Sequence, residues 1–133
     1  MEKIIFTNGC FDIVHIGHIN LLNFAKERGD KLIVGINSDS SIKRLKGEKR
    51  PINNQTDRKY FLENIKAVDE VHIFSEDTPY NLIKSIMPDI IVKGSDYNPS
   101  DVVGNDLADV ICFPVLPGYS TTNIIERSKE LIS

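Results

Sequence analysis

The chain has 133 residues, 41% of them apolar and 26% charged, with a net charge of −3, which fits one compact globular domain. The slight acidic balance argues against a general nucleic-acid binder, and no apolar run approaches the ~18 residues of a membrane-spanning helix. The apolar run behind Met1-Glu2-Lys3 reads as too brief for a signal peptide, and the two cysteines, Cys10 and Cys112, make no disulfide framework, so the cytoplasm is the expected compartment.

Residues 3–8 read as a first strand, and residue 17 or 18 to residue 28 as a first helix, with Leu21, Leu22 and Ala25 on its inner stripe and Gly29 as its stop signal. Residues 32–36 are near-continuously apolar, as in a parallel strand covered on both faces. Asn37-Ser38-Asp39-Ser40 closes that strand and caps a short helix through Leu45, and residues 43–51 form a basic loop. Thr56 or Asp57 caps a third helix, with Arg58 in its first turn and Tyr60, Phe61, Leu62 and Ile65 as its apolar residues. A third strand at 71–74 precedes a helix opened by Pro79 and ended by Met87-Pro88. A fourth strand at 90–92 runs into Lys93-Gly94-Ser95-Asp96-Tyr97 and a polar, turn-rich stretch to Asp109. Residues 110–115 make a fifth strand, 117–122 a turn and 123–131 a last helix. This alternation predicts a single α/β domain over 1–133, a five-stranded parallel sheet with right-handed crossovers and helices on both faces. The polar segments after strands one, two, four and five then gather on one rim, where open α/β sheets bind ligands.

The turn from the first strand into the first helix concentrates the chemistry. A helix amino end offers unpaired N–H groups and partial positive charge to an anion, and Gly9 and Gly17 let backbone approach a phosphate. His15 and His18, three residues apart, can face one bound group. Ser120-Thr121-Thr122 opens the last helix as a second phosphate cradle, and Lys43, Lys46 and Arg50 add flexible cations. Two such helix ends and a basic loop suit a nucleoside triphosphate better than one small anion. Neither G-x-x-x-x-G-K-[ST] nor G-x-G-x-x-G occurs. Nucleotidyl transfer needs charge stabilisation more than a base when the attacking group is an ionised phosphate, and two imidazoles donating hydrogen bonds to an α-phosphate meet that need. Cys10, His15 and His18 could instead ligate zinc, but no fourth Cys or His stands at ligand spacing. Cys10 reads as packed beneath the turn; Asp12 could simply cap that turn, and Asp39 the short helix.

His15-Ile16-Gly17-His18 resembles the H-x-G-H signature of the nucleotidyltransferase superfamily, and Ser120-Thr121-Thr122 its second signature. Residues 7–12, 37–39, 43–48, 50–51, 76–79, 93–97 and 118–125 resemble the heptose 1-phosphate adenylyltransferase branch, a likeness running nearly end to end. The resemblance implies a Rossmann-like nucleotidyltransferase domain in which a sugar 1-phosphate attacks the α-phosphorus of a nucleoside triphosphate. It also implies Mg²⁺ on the triphosphate oxygens with no metal site built from protein ligands alone, and a homodimer, while the charge and the short apolar runs give the expectation of no nucleic-acid or membrane partner. Under it, His15 and His18 stabilise the transition state, and Lys46 joins them at the β- or γ-phosphate, as do Ser120, Thr121 and Thr122. Thr7, Asn8, Gly9, Cys10, Phe11, Gly17, Asn37 and Asp39 fall at the nucleotide, Lys93 and Asp96 near the nucleotide ribose or the acceptor, and Asp12 and Arg58 near the acceptor phosphate or the metal-linked phosphates. The chain is also similar to glycerol-3-phosphate cytidylyltransferases. Where they carry R-T-E-G-I-S-T-T, however, residues 115–122 lack the Arg and the Glu, and the stretch between Asp106 and Val110 is shorter than in the heptose branch.

Overall fold

A computed structural model describes residues 2–94 and 98–114. Its strands are β1 (Ile4–Gly9), β2 (Lys31–Asn37), β3 (Glu70–Phe74), β4 (Ile90–Lys93) and β5 (Asp109–Cys112). They form one sheet ordered β3-β2-β1-β4-β5, parallel at every pairing. The connections carry helices α1 (Ile16–Lys26), α2 (Asp39–Lys46), α3 (Gln55–Glu63) and α4 (Tyr80–Ile86), and a 3-10 turn, Pro99–Asp101.

The strands are apolar on both faces because both faces are covered, as parallel sheets require. Ile5, Leu32, Val34, Ile36 and Val92 pack with Leu21, Leu22 and Ala25 of α1 and Leu62 of α3. Phe6, Ile33 and Ile91 turn the other way, onto Ile83 of α4 and Val102. Each such side chain, fully buried, contributes about 1.5–3 kcal/mol. Gly35 lies on the α4 side, where a Cβ would come within 2.9 Å of the Phe6 ring and 3.0 Å of Leu82. Its missing side chain lets that layer close.

The five-stranded parallel sheet and its two helical faces agree with expectation, and element ends differ by a residue or so. Helix α3 differs more. Its N-cap is Asn54, whose Oδ1 accepts from Asp57 N at 2.9 Å, rather than Thr56 or Asp57. Arg58 and Leu62, four apart, form its inner stripe, while Tyr60 and Phe61 are exposed. The expected fifth strand ends at Cys112, before Phe113 and Pro114, and Val115, the turn at 117–122 and the helix at 123–131 lie outside the described residues. The strand order reverses between β1 and β4, so the crevice at their carboxyl ends is the topological switch point where such sheets take ligands.

Candidate functional site

Helix α1 starts as the chain leaves β1, and His15 is its N-cap in extended conformation. The two histidines cap each other. His15 Nδ1 accepts from Gly17 N at 3.1 Å, and His15 N donates to His18 Nδ1 at 3.2 Å. The rings stack with centroids 3.9 Å apart. Because each Nδ1 accepts a hydrogen bond, a neutral ring carries its proton on Nε2. Burial lowers the pKa of His15, and burial together with the neighbouring His15 lowers His18 to about 4. At neutral pH both rings are therefore uncharged with the proton on Nε2; His18 lines a cavity at the strand ends, whereas His15 Nε2 is buried.

The preceding turn is bent to serve that arrangement. Phe11 adopts φ 49°, a left-handed conformation that costs a side-chain-bearing residue about 1–2 kcal/mol. The bend brings its buried ring to 5.0 Å from the His18 ring and over Gly9, where a Cβ would lie 3.1 Å from the aromatic edge. Asn8, Gly9, Cys10, Phe11, His18, Leu21, Lys93 and Gly94 line a cavity of about 240 Å³ between the ends of β1 and β4. Asn8 and Lys93 also border a cavity of about 140 Å³ with Pro79, Asp101, Val102 and Val103. Burial lowers the Lys93 pKa, partly opposed by Cys10 and Cys112. Residues from the first and fourth strand ends, far apart in sequence, thus share one wall.

Other expected site residues are placed differently. Thr7 is fully buried within β1 and lines neither cavity. Gly17 lies in the first turn of α1 and donates its N–H to His15. Asn37 is buried, with Nδ2 on Ser41 Oγ at 3.0 Å and Oδ1 facing Cys10 Sγ at 3.8 Å. Lys46 is exposed at the end of α2. Asp96, Ser120, Thr121 and Thr122 lie outside the described residues.

Asp12 and Arg58, expected at an acceptor phosphate, are each 2% exposed and bonded to protein. Arg58 donates Nε to Asn53 O, Nη1 to Cys10 O and Asn37 O, and Nη2 to Asp39 Oδ1, all within 2.8–2.9 Å. It ties the ends of β1 and β2 to α3, and Asp39, expected at the nucleotide, is its counter-ion. The Asp12 carboxylate accepts from Ile52 N at 2.9 Å, Asn53 N at 2.8 Å and Arg50 Nε at 3.0 Å. Burial pushes its pKa up, but those N–H groups and the Arg50 charge outweigh burial and hold it below the usual value. The physical reason for both bonding patterns is the same: a charge buried this deeply must be matched by fixed partners. The two residues border a third cavity, about 270 Å³, with Phe11, Ile13, Val14, Asn53, Asp57 and Phe61. Sequence reasoning missed Asn53, whose N–H and carbonyl serve both ions; nothing local marks it, since its partner Asp12 is 41 residues away.

Among the described residues no group of three or more His, Cys, Asp or Glu could hold a metal ion, and no helix is long and apolar enough to cross a membrane. A family model described as cytidylyltransferase-like matches residues 6–127. The chain is 58% identical over 130 residues to Bifunctional protein HldE of Nitratiruptor sp., covering 97% of this chain and 28% of that protein. It is 56% identical over 130 residues to Bifunctional protein HldE of Aliarcobacter butzleri, covering 97% and 27% respectively. It therefore spans little more than a quarter of the length of these curated relatives. The crystal structure of the lipopolysaccharide core biosynthesis protein from Thermoplasma volcanium superposes with a TM-score of 0.73 at 26% identity, covering 87% of this chain and 98% of that one.

Proposed function

Because the chain belongs to the cytidylyltransferase-like family, we propose that it is a nucleotidyltransferase acting on a nucleoside triphosphate and a sugar 1-phosphate. A phosphate oxygen of the sugar phosphate forms a bond to the α-phosphorus, the bond from that phosphorus to the bridging oxygen breaks, and pyrophosphate leaves with the electron pair. The finer proposal is heptose 1-phosphate and ATP giving ADP-heptose. It is supported by the sequence resemblance, and by the likeness to a lipopolysaccharide core biosynthesis protein, which fits a role in building cell-surface sugars.

The observation that carries the reading is the reciprocal histidine cap. An ionised phosphate nucleophile needs no base, whereas charge growing on the α-phosphate needs fixed donors. Neutral His15 and His18, each with Nδ1 engaged by backbone, supply such donors without placing a buried charge on the helix entry. Asn8, Gly9, Lys93 and Gly94 line the same cavity as His18 and suit the phosphates. Mg²⁺ would ride on the triphosphate and neutralise its charge. Asp12 is ringed by N–H donors and not arranged as a metal ligand, so the fit is to a metal carried by the nucleotide. A homodimer and a cytoplasmic setting are companion proposals of the same reading.

Incubation with Mg²⁺, each nucleoside triphosphate in turn and heptose 1-phosphate tests it, with pyrophosphate release as the signal. ATP should give the fastest release. The family description favours one competing reading, in which CTP and glycerol 3-phosphate or another polyol phosphate react, and the same screen decides it. Absence of turnover with every triphosphate and every sugar or polyol phosphate overturns both.

A further inference from the structure

Two arginines flank the turn after β1, and they differ in how their nitrogens are used. Arg58 has Nε, Nη1 and Nη2 all bonded to protein oxygens. Arg50, in the loop after α2, holds Asp12 Oδ2 through Nε at 3.0 Å, and its side chain is 15% exposed. Its Nη2 is buried and has no hydrogen-bond partner in the protein. Asp12 does not fill the gap, because its oxygens already serve Ile52 N and Asn53 N besides Arg50 Nε. A buried guanidinium N–H without an acceptor is unfavourable, and native proteins leave few polar groups in that state.

Its position suggests what completes it. Asp12 directly follows Phe11, so the ion pair holds Arg50 at the shoulder of the same turn whose residues Asn8 to Phe11 line the His18 cavity. One nitrogen anchored on a carboxylate and a second held in the same rigid plane is an arrangement suited to a phosphoryl oxygen. We infer that Arg50 is a substrate-binding residue whose Nη2 donates to a phosphoryl oxygen, an assignment that rests on the nucleotidyltransfer reading. That oxygen belongs to the triphosphate or to the acceptor phosphate, and the experiment separates the two.

Arg50→Lys is the informative variant. Lysine keeps the positive charge and can pair with Asp12, but it lacks the second nitrogen of the fork. Calorimetric titration of ATP, and separately of heptose 1-phosphate, into wild type and variant reads binding without turnover. Arg50→Lys should weaken at least one of the two affinities by about 10-fold or more, with its urea midpoint near wild type. The weakened titration identifies the phosphate, and in a steady-state assay KM for that substrate rises more than kcat falls. Arg50→Gln should weaken the same titration. A folded Arg50→Lys protein with both affinities unchanged overturns the assignment. Wild type that binds ATP but never turns over sinks the transfer reading instead, and wild type that turns over beside an Arg50→Lys of unchanged affinities sinks this assignment alone.

Discussion

The mutual cap of His15 and His18 makes a separable prediction, because one ring does two jobs. His15 Nδ1 satisfies Gly17 N at the start of α1, while Nε2 is the proposed phosphate donor. His15→Ala removes both functions. His15→Asn removes the ring, yet asparagine is among the best N-cap residues, so the helix start survives. Loss of the cap costs about 1 kcal/mol, which shifts a urea midpoint by about 0.5 M for a domain of this size. Loss of one preorganised donor lowers kcat by about 10²–10³. The Ala variant should show both effects. The Asn variant should show the kinetic loss with a midpoint nearer wild type, displaced only by the lost stacking on His18. Unfolding followed by circular dichroism and turnover followed by pyrophosphate release, on the same preparations, separate the two terms. If His15→Asn turns over like wild type, the ring is only a cap and the proposed mechanism fails.

Protonation of His18 should register in stability. Its folded pKa is about 4 against an ordinary 6.5. Above pH 6.5 both states are neutral there, while between 6.5 and 4 only the unfolded chain takes up the proton. Stability should thus fall as the pH drops through that window, by at most about 3 kcal/mol, and the His18 contribution should level off below it. Urea melts at stepped pH check this, and a slope unchanged in His18→Gln refutes it. Arg58→Lys should destabilise by about 3–5 kcal/mol despite keeping the charge, since lysine cannot reach all four oxygens now bonded to the guanidinium; a urea midpoint within error of wild type would show the strut to be dispensable. Gly35→Ala should cost about 1–3 kcal/mol through contact with Phe6 and Leu82, seen as a drop of several degrees in Tm.

The sheet was legible because its strands are short, doubly buried apolar runs such as Ile4-Ile5-Phe6 and Ile90-Ile91-Val92, and their alternation with helices leaves few topologies. The histidine turn was legible as a strand-to-helix junction carrying His15 and His18 three apart, but its reciprocal cap was not. What escaped was long-range. By local pattern Arg58 was an ordinary first-turn residue of α3, and only the family resemblance set it near a phosphate. Its partners at Cys10, Asn37 and Asn53 are scattered along the chain, and no local pattern joins them. Asp12 likewise reads as a turn cap, because its partners lie 38 to 41 residues later. The exposure of Tyr60 and Phe61 ran against their apolar character, since the inner stripe of α3 is set by where Arg58 must bind.

The carbonyls of Cys10, Asn37 and Asn53 emerge from the ribosome before the guanidinium that joins them. A chain halted just short of Arg58 holds both β1 and β2, but the bends that follow those strands have no keystone to set their shape. The shape of those bends therefore waits for α3, when one cation locks three earlier segments together, and Lys93 and Gly94 complete the cavity wall only after β4 has followed.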